Sequence, residues 1–246
     1  MGPNGIWMVE RQEVADQIPA ALAAMDRLGI RTFCVSGMEA LHGDPVEGNR
    51  TIARFLKPHG DRFRGWIVAN PYFMDRLEPL MEEFLADPFF IGFKLLGSYW
   101  GVPMTDSRYE PVWRHAHTHR CPILLHTWDG AKVCNPAILA DIAPKYPDAA
   151  FLLGHSGGGN AGRHEAEELA QKNPNVYLEW CGSFCSSVPW EDTLPKVGAD
   201  RVVFGTDSVV HNFAWEMGRF LSLDLPEATL RPVLGANFRK ILARRR

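Results

Sequence analysis

The stretch 146–159, YPDAAFLLGHSGGG, decides the fold. A short, wholly apolar run from Ala150 to Leu153 ends on Gly154 and His155, and three glycines follow. Apolar runs of that length, bounded by turn residues, belong to strands buried on both faces, the condition of a parallel sheet covered by helices. Six further runs repeat the design, at 31–35, 63–69, 91–95, 123–125, 176–179 and 202–204. Helical periodicity fills the intervals, most clearly at 14–28, 74–85, 111–119, 136–142 and 163–171, and a closing helix is predicted over 237–243.

Strand alternating with helix along 246 residues of 46% hydrophobic composition predicts a single α/β domain, 1–246, built as a TIM (β/α)8 barrel. Seven strands leave it one short, and the shortage lies at the amino end, because the predicted helix 14–28 has no full strand before it. Residues 5–9, GIWMV, are the sole candidate, and they carry no histidine. The expected barrel therefore lacks or replaces its first strand.

The 26 basic and 29 acidic residues are spread along the chain, and a net charge of −3 predicts no cationic face for nucleic acid or anionic lipid. Five cysteines, Cys34, Cys121, Cys134, Cys181 and Cys185, match neither a disulfide framework nor a paired CxxC zinc site, which points to a reducing, cytoplasmic compartment. Neither a secretory leader nor a run of roughly 20 apolar residues is found, so no membrane span is expected.

In such a barrel the site forms at the carboxyl ends of the strands, and four polar residues occupy that place. Lys94, His126, His155 and Asp207 each close an apolar run. Imidazole and carboxylate are groups that a borderline divalent ion such as zinc takes up, and strand ends distant in sequence can be brought together around it. Each residue also has a structural reading. A lone histidine often serves as a hydrogen-bonded scaffold residue, and Asp207 with Ser208 can cap the following helix. Lys94 can pair structurally, bind an anionic substrate or, if carboxylated, bridge two metals.

The motifs GFKLL (92–96), PILLHTW (122–128), YPDAAFLLGHSGGG (146–159), NVYLEWCG (175–182) and ADRVVFGTDS (199–208) resemble, in order, strand-end signatures of the amidohydrolase superfamily, specifically its amidohydrolase-related metal-dependent hydrolases and decarboxylases. DRLGI (26–30), DRFRGWIVANP (61–71) and GANFRKIL (235–242) extend the likeness over most of the chain. The resemblance implies that His126 is a metal ligand after the family's fifth strand and Asp207 the carboxylate after its eighth. His155 then matches a second-metal ligand or general acid/base, and Lys94 the fourth-strand lysine. It implies amide, ester or lactone hydrolysis, or decarboxylation of aromatic and related acids, on a small-molecule substrate. It also admits a homodimer, which the unpaired edges of an incomplete barrel would favour.

Such proteins normally open with a strand ending in His-x-His or Glu-x-His, and residues 1–30 contain no histidine. The absent strand and the absent ligands are the same piece, so the expectation is that an amino-terminal segment is missing. Replacement by another residue, or loss of the metal, are the alternatives. His115-x-His117-x-His119 looks like a substitute, but on a helix only His115 and His119 share a face, and that helix end lies away from the mouth.

Several residues stay open on sequence alone. Gly154-His155-Ser156-Gly157-Gly158 spells the G-x-S-x-G elbow, so Ser156 is a rival nucleophile, with His211 as its base. Gly157-Gly158-Gly159 could cradle an anion, although the Lys-Ser/Thr of a P-loop is absent. Tyr99, Trp100, Trp128 and Trp180 could wall an aromatic pocket or simply pack in the core, and Lys94 and Trp128 are the expected substrate-binding pair. Ser183, Ser186 and Cys181 read as ordinary loop residues. The mechanism expected has a divalent ion on His126, Asp207 and upstream ligands, with His155 moving a proton. A non-catalytic binding barrel is the second rival.

Overall fold

The computed structural model describes residues 14–182, 187–208 and 212–246; residues 5–9, Ser183, Cys185, Ser186 and His211 lie outside them. All seven expected strands form: β1 (Phe33–Val35), β2 (Phe63–Val68), β3 (Phe90–Leu95), β4 (Pro122–His126), β5 (Ala150–Gly154), β6 (Val176–Trp180) and β7 (Val202–Phe204). They make one parallel sheet in sequential order, with helices on its outer face, and register pairs such as His126 with Gly154 and Trp180 with Phe204 bring successive strand ends level.

Side-chain parity explains the layering, because successive residues of a strand point to opposite faces. Ile67, Phe93, Ile123, Leu125, Phe151, Leu153, Leu178 and Trp180 point outward into the main core under the helices. Cys34, Trp66, Leu124, Leu152, Tyr177 and Val203 point inward and share a smaller cluster with Phe238, Ile241 and Leu242 of the closing helix, Asn237–Leu242. That helix plugs the amino-terminal end of the curled sheet. Asn237 holds it there, donating to the carbonyls of Ala199 at 2.7 Å and Val202 at 2.8 Å.

Among the described residues, β1 and β7 are not paired, so the ring has an open seam between them. Phe213 bridges the seam, meeting Phe33 edge-on with ring centroids 4.8 Å apart. No helix among the described residues is long and apolar enough to cross a membrane.

Several boundaries differ from expectation for local reasons. Arg31 stays out of β1 because its carbonyl accepts from the Arg62 guanidinium at 3.0 Å. Segment 74–85 breaks into the helices Met74–Leu77 and Met81–Ala86 around a 3-10 turn that holds Pro79, since proline lacks the N–H that a continuous helix needs. Segment 136–142 is not an α-helix either; Pro136–Leu139 and Ala143–Lys145 form separate 3-10 turns, with prolines at the start of each. The helix Pro45–Leu56 has no counterpart in the sequence reading; Gly48 and Asn49 interrupt the apolar positions Val46, Ile52 and Leu56 on its buried face. Asn49 both donates to and accepts from Val68 at the end of β2.

Ile241 is 1% exposed within the barrel plug. Ile241→Ala is expected to lower unfolding stability by about 2–5 kcal/mol in urea titrations; a loss below about 1 kcal/mol would mean the plug is not packed as described.

Candidate active site

Inward parity carries the apolar clusters up the strands, and above them the inward positions turn polar. Lys94 on β3, His126 ending β4, Glu179 on β6, and Asp207 just past β7 all line one cleft of about 1440 Å³, together with His155 and Cys181. The cleft runs from the carboxyl ends of the strands down the open seam, where Phe33 to Val35 of β1 and the following Ser36 line it with Val203 to Thr206.

The two histidines meet. His155 Nε2 lies 3.1 Å from His126 Nδ1, and the rings stand edge to face at 4.7 Å. Burial, and secondly the charge of Lys94, pushes the pKa of His126 down to about 3, so its imidazole is neutral and keeps a lone pair for a ligand. The other nitrogen of His155, Nδ1, lies 3.3 Å from the Cys181 sulfur. Cys181 in turn hydrogen-bonds the Glu179 carboxyl, which also accepts from the His155 backbone N–H. Burial drives the Cys181 thiol well above its ordinary value, with the nearby Glu179 and Asp207 charges adding to the shift. A chain of polar contacts therefore runs from His126 through His155 and Cys181 to Glu179.

Glu179 was not among the expected site residues. Burial raises its carboxyl from 4.5 to about 7, opposed by the Cys181 hydrogen bond and the Lys94 charge. Gly205 makes room for it, because a Cβ there would lie 1.6 Å from Glu179 Oε1. The available signal was parity: Tyr177, Glu179 and Cys181 alternate with the outward Val176, Leu178 and Trp180.

Backbone conformation marks the same places. Among the described non-glycine residues, His155, Ser156, Asp207 and Arg120 have positive φ, and the first three sit at the ends of β5 and β7. Such conformations cost on the order of 1–3 kcal/mol and persist where surroundings enforce them. Thr127 is the enforcer at β5; its hydroxyl donates to the Gly154 carbonyl at 2.6 Å and accepts from Gly157 N–H at 2.9 Å. Asp207 does not cap the next described helix. Asn212 caps the next helix, Phe213–Leu221, accepting from Ala214 N–H at 2.8 Å.

Trp128 stacks on His126, the planes 3° apart, and approaches His155 edge-on at 5.7 Å. Gly158 seats that indole, since a Cβ at this residue would meet Trp128 at 2.8 Å. Tyr99 adds a second wall, 5.7 Å from His126, and stacks on His42 at the rim. Trp180 is not a wall; it is buried on the outer face against Trp190 and donates to Glu216 at 3.1 Å. Trp100 is anchored through its indole N–H to the Leu41 carbonyl.

The geometry disfavours the serine and anion readings. Ser156 is fully buried and its hydroxyl donates to the Glu179 carbonyl at 3.0 Å. The Gly157, Gly158 and Gly159 N–H groups are used by Thr127, His155 and Gly157 respectively. His115 and His119 share a helix face remote from the mouth, as expected.

A divalent ion fits the donor chemistry of the mouth: a neutral imidazole at His126, a carboxylate at Asp207 and a second imidazole at His155. Among the described residues, however, these donors do not close into a group of three within 4.8 Å of one another.

A sequence profile of the family described as amidohydrolase matches residues 3–244. A search of the curated proteins returned no match. Solved structures share the fold. The 2,6-dihydroxybenzoate decarboxylase from Rhizobium aligns with a TM-score of 0.72 at 18% identity, covering 91% of this chain and 87% of that one. The 5-carboxyvanillate decarboxylase of Sphingomonas paucimobilis gives 0.72 at 15% identity, over 91% and 82%. A dihydroxybenzoic acid decarboxylase from a Polaromonas species, with bound manganese and 2-nitroresorcinol, gives 0.69 at 17% identity, over 91% and 85%.

The raised carboxyl gives a pH prediction with a definite sign. Between pH 4.5 and about 7 the folded protein keeps a proton on Glu179 that the unfolded chain has released, so stability falls as pH rises through that window. In chelator-treated protein the fall should be on the order of 1–3 kcal/mol, and Glu179→Gln should flatten it. An identical pH profile for the two proteins in denaturant titrations would exclude the assignment.

Proposed function

We infer, from the premise that the chain belongs to the amidohydrolase family, that it is a metal-dependent enzyme that decarboxylates a hydroxylated aromatic acid. The observation that carries this reading is the 3.1 Å contact of His126 and His155 beneath Trp128, facing the Lys94 ammonium across one cleft. An aromatic wall and a cation suit a planar acid, and the decarboxylases that share the fold act on benzoates.

His126 and Asp207 are the residues that would hold the ion, with His155 beside them to move a proton; when bound the ion would supply Lewis acidity toward a substrate oxygen. Zinc is our assignment for its identity, on the strength of the imidazole donors. Lys94 orients the substrate carboxylate, and Trp128 and Tyr99 hold the ring and exclude water. In the chemical step the bond between ring and carboxylate carbon breaks, carbon dioxide leaves, and the electron pair remains on the ring carbon, which takes a proton. His155 delivers that proton. Its Nδ1 contact with Cys181, and through it with the near-neutral Glu179, keeps the imidazole oriented and offers a route for reprotonation.

Assays of carbon dioxide release from 2,6-dihydroxybenzoate and 5-carboxyvanillate, run beside lactone and amide hydrolysis on zinc- and manganese-loaded protein, test the reading. Decarboxylation that chelation abolishes is expected; hydrolysis alone would overturn the choice of reaction.

His155→Ala should lower kcat by about 100- to 10,000-fold while most of the metal in the mouth is retained, whereas His126→Ala should lose the ion of the mouth as well. Ser156→Ala, if it folds, should keep turnover within the same order of magnitude; its inactivation with metal binding intact would revive the serine scheme.

A further inference from the structure

A second group of ligating side chains lies on the outside of the barrel. His115 and His119 are one turn apart on the helix Glu110–Thr118 and its C-cap, and their rings are parallel to within 7° with centroids 6.2 Å apart. Glu82, on the neighbouring helix Met81–Ala86, reaches between them. One carboxylate oxygen lies 2.8 Å from His115 Nδ1 and the other 2.9 Å from His119 Nε2. One donor atom from each residue lies within 4.8 Å of the other two, the only such group of three among the described residues.

We propose that Glu82, His115 and His119 form a zinc-class metal site, distinct from the mouth, that clamps two neighbouring outer helices at the amino-terminal end of the barrel. Two imidazoles and a carboxylate are a recognised zinc donor set, and three protein ligands leave a fourth place for water. Bonds of 2.0–2.1 Å set tetrahedral ligand atoms roughly 3.3 Å apart, so the two contacts between carboxylate and imidazole need open by only a few tenths of an ångström, while the two imidazole donors start within 4.8 Å of each other. The histidine side chains are 14% and 23% exposed and Glu82 is 62% exposed, which gives the ligands support and the ion an entry path. His119 is also tied through its carbonyl to the Arg246 N–H at 3.1 Å, so the clamp reaches the end of the chain. His117, on the opposite face, is engaged with the Asp148 N–H and takes no part.

Full-length, tag-free protein stripped by chelator and titrated with zinc by calorimetry tests the site. The wild type should bind one more ion per chain than the His115→Gln/His119→Gln variant. In a His126→Ala background, zinc should still raise the melting temperature, and the added double substitution should remove that shift. Cobalt substituted into His126→Ala should give the intense visible bands of a tetrahedral ion, absent from the combined variant. Equal zinc stoichiometry in wild type and double variant, with both proteins folded by circular dichroism, overturns the proposal. So does a His126→Ala protein that binds no zinc at micromolar concentration.

Discussion

A parallel strand covered outside by helices and inside by its neighbours can hold a polar side chain cheaply only where its ladder ends. His126, His155 and Asp207 sit at or past the ends of their strands, and Lys94 and Glu179 stand one residue before the end of theirs. Leu124 and Leu152 fill the interior, and one inward step further on each strand come His126 and Gly154. The same step leads from Tyr177 to Glu179 and from Val203 to Gly205. The glycines are the counterpart of the polar residues: neighbours on the ring cannot both be large, and the Glu179 carboxyl occupies space that a side chain at residue 205 would need.

Burial then does the electrostatic work. Lys94 lies near both His126 and Glu179, and its charge acts on them in the same direction, lowering each pKa. For the imidazole that adds to desolvation; for the carboxyl it opposes desolvation. The result is a neutral histidine beside an acid poised near pH 7, two states that an open site in water would not hold together. The positive φ of His155 and Asp207 belongs to the same arrangement, since each residue must turn its side chain back over the strand end it has just left.

The strands were legible in the sequence because burial on both faces leaves continuous apolar runs, and the residue that closes each run is visible by its polarity. His126, His155, Lys94 and Asp207 were found that way. Glu179 escaped because it stands before the end of its run and looks like a strand-interior charge; only the alternation with Leu178 and Trp180 shows which way it points. Trp180 failed for the complementary reason, being one position off the inward parity. The helix Pro45–Leu56 was missed although Val46, Ile52 and Leu56 lie on its buried face, because that stripe is broken at Asn49, which is buried through backbone hydrogen bonds to Val68.

The outer cluster shows where sequence reading stops. Spacing alone pairs His115 with His119 and sets His117 aside, but Glu82 lies more than thirty residues upstream on a separate helix, and nothing local announces it. Helix packing creates that third donor. The mouth differs in kind, because its donors are aligned by strand register, whereas the outer group depends on two helices keeping their relative rotation. A modest turn of Met81–Ala86 about its axis would carry Glu82 away from both rings while leaving the strand-end residues in place, so the two sites can be lost independently.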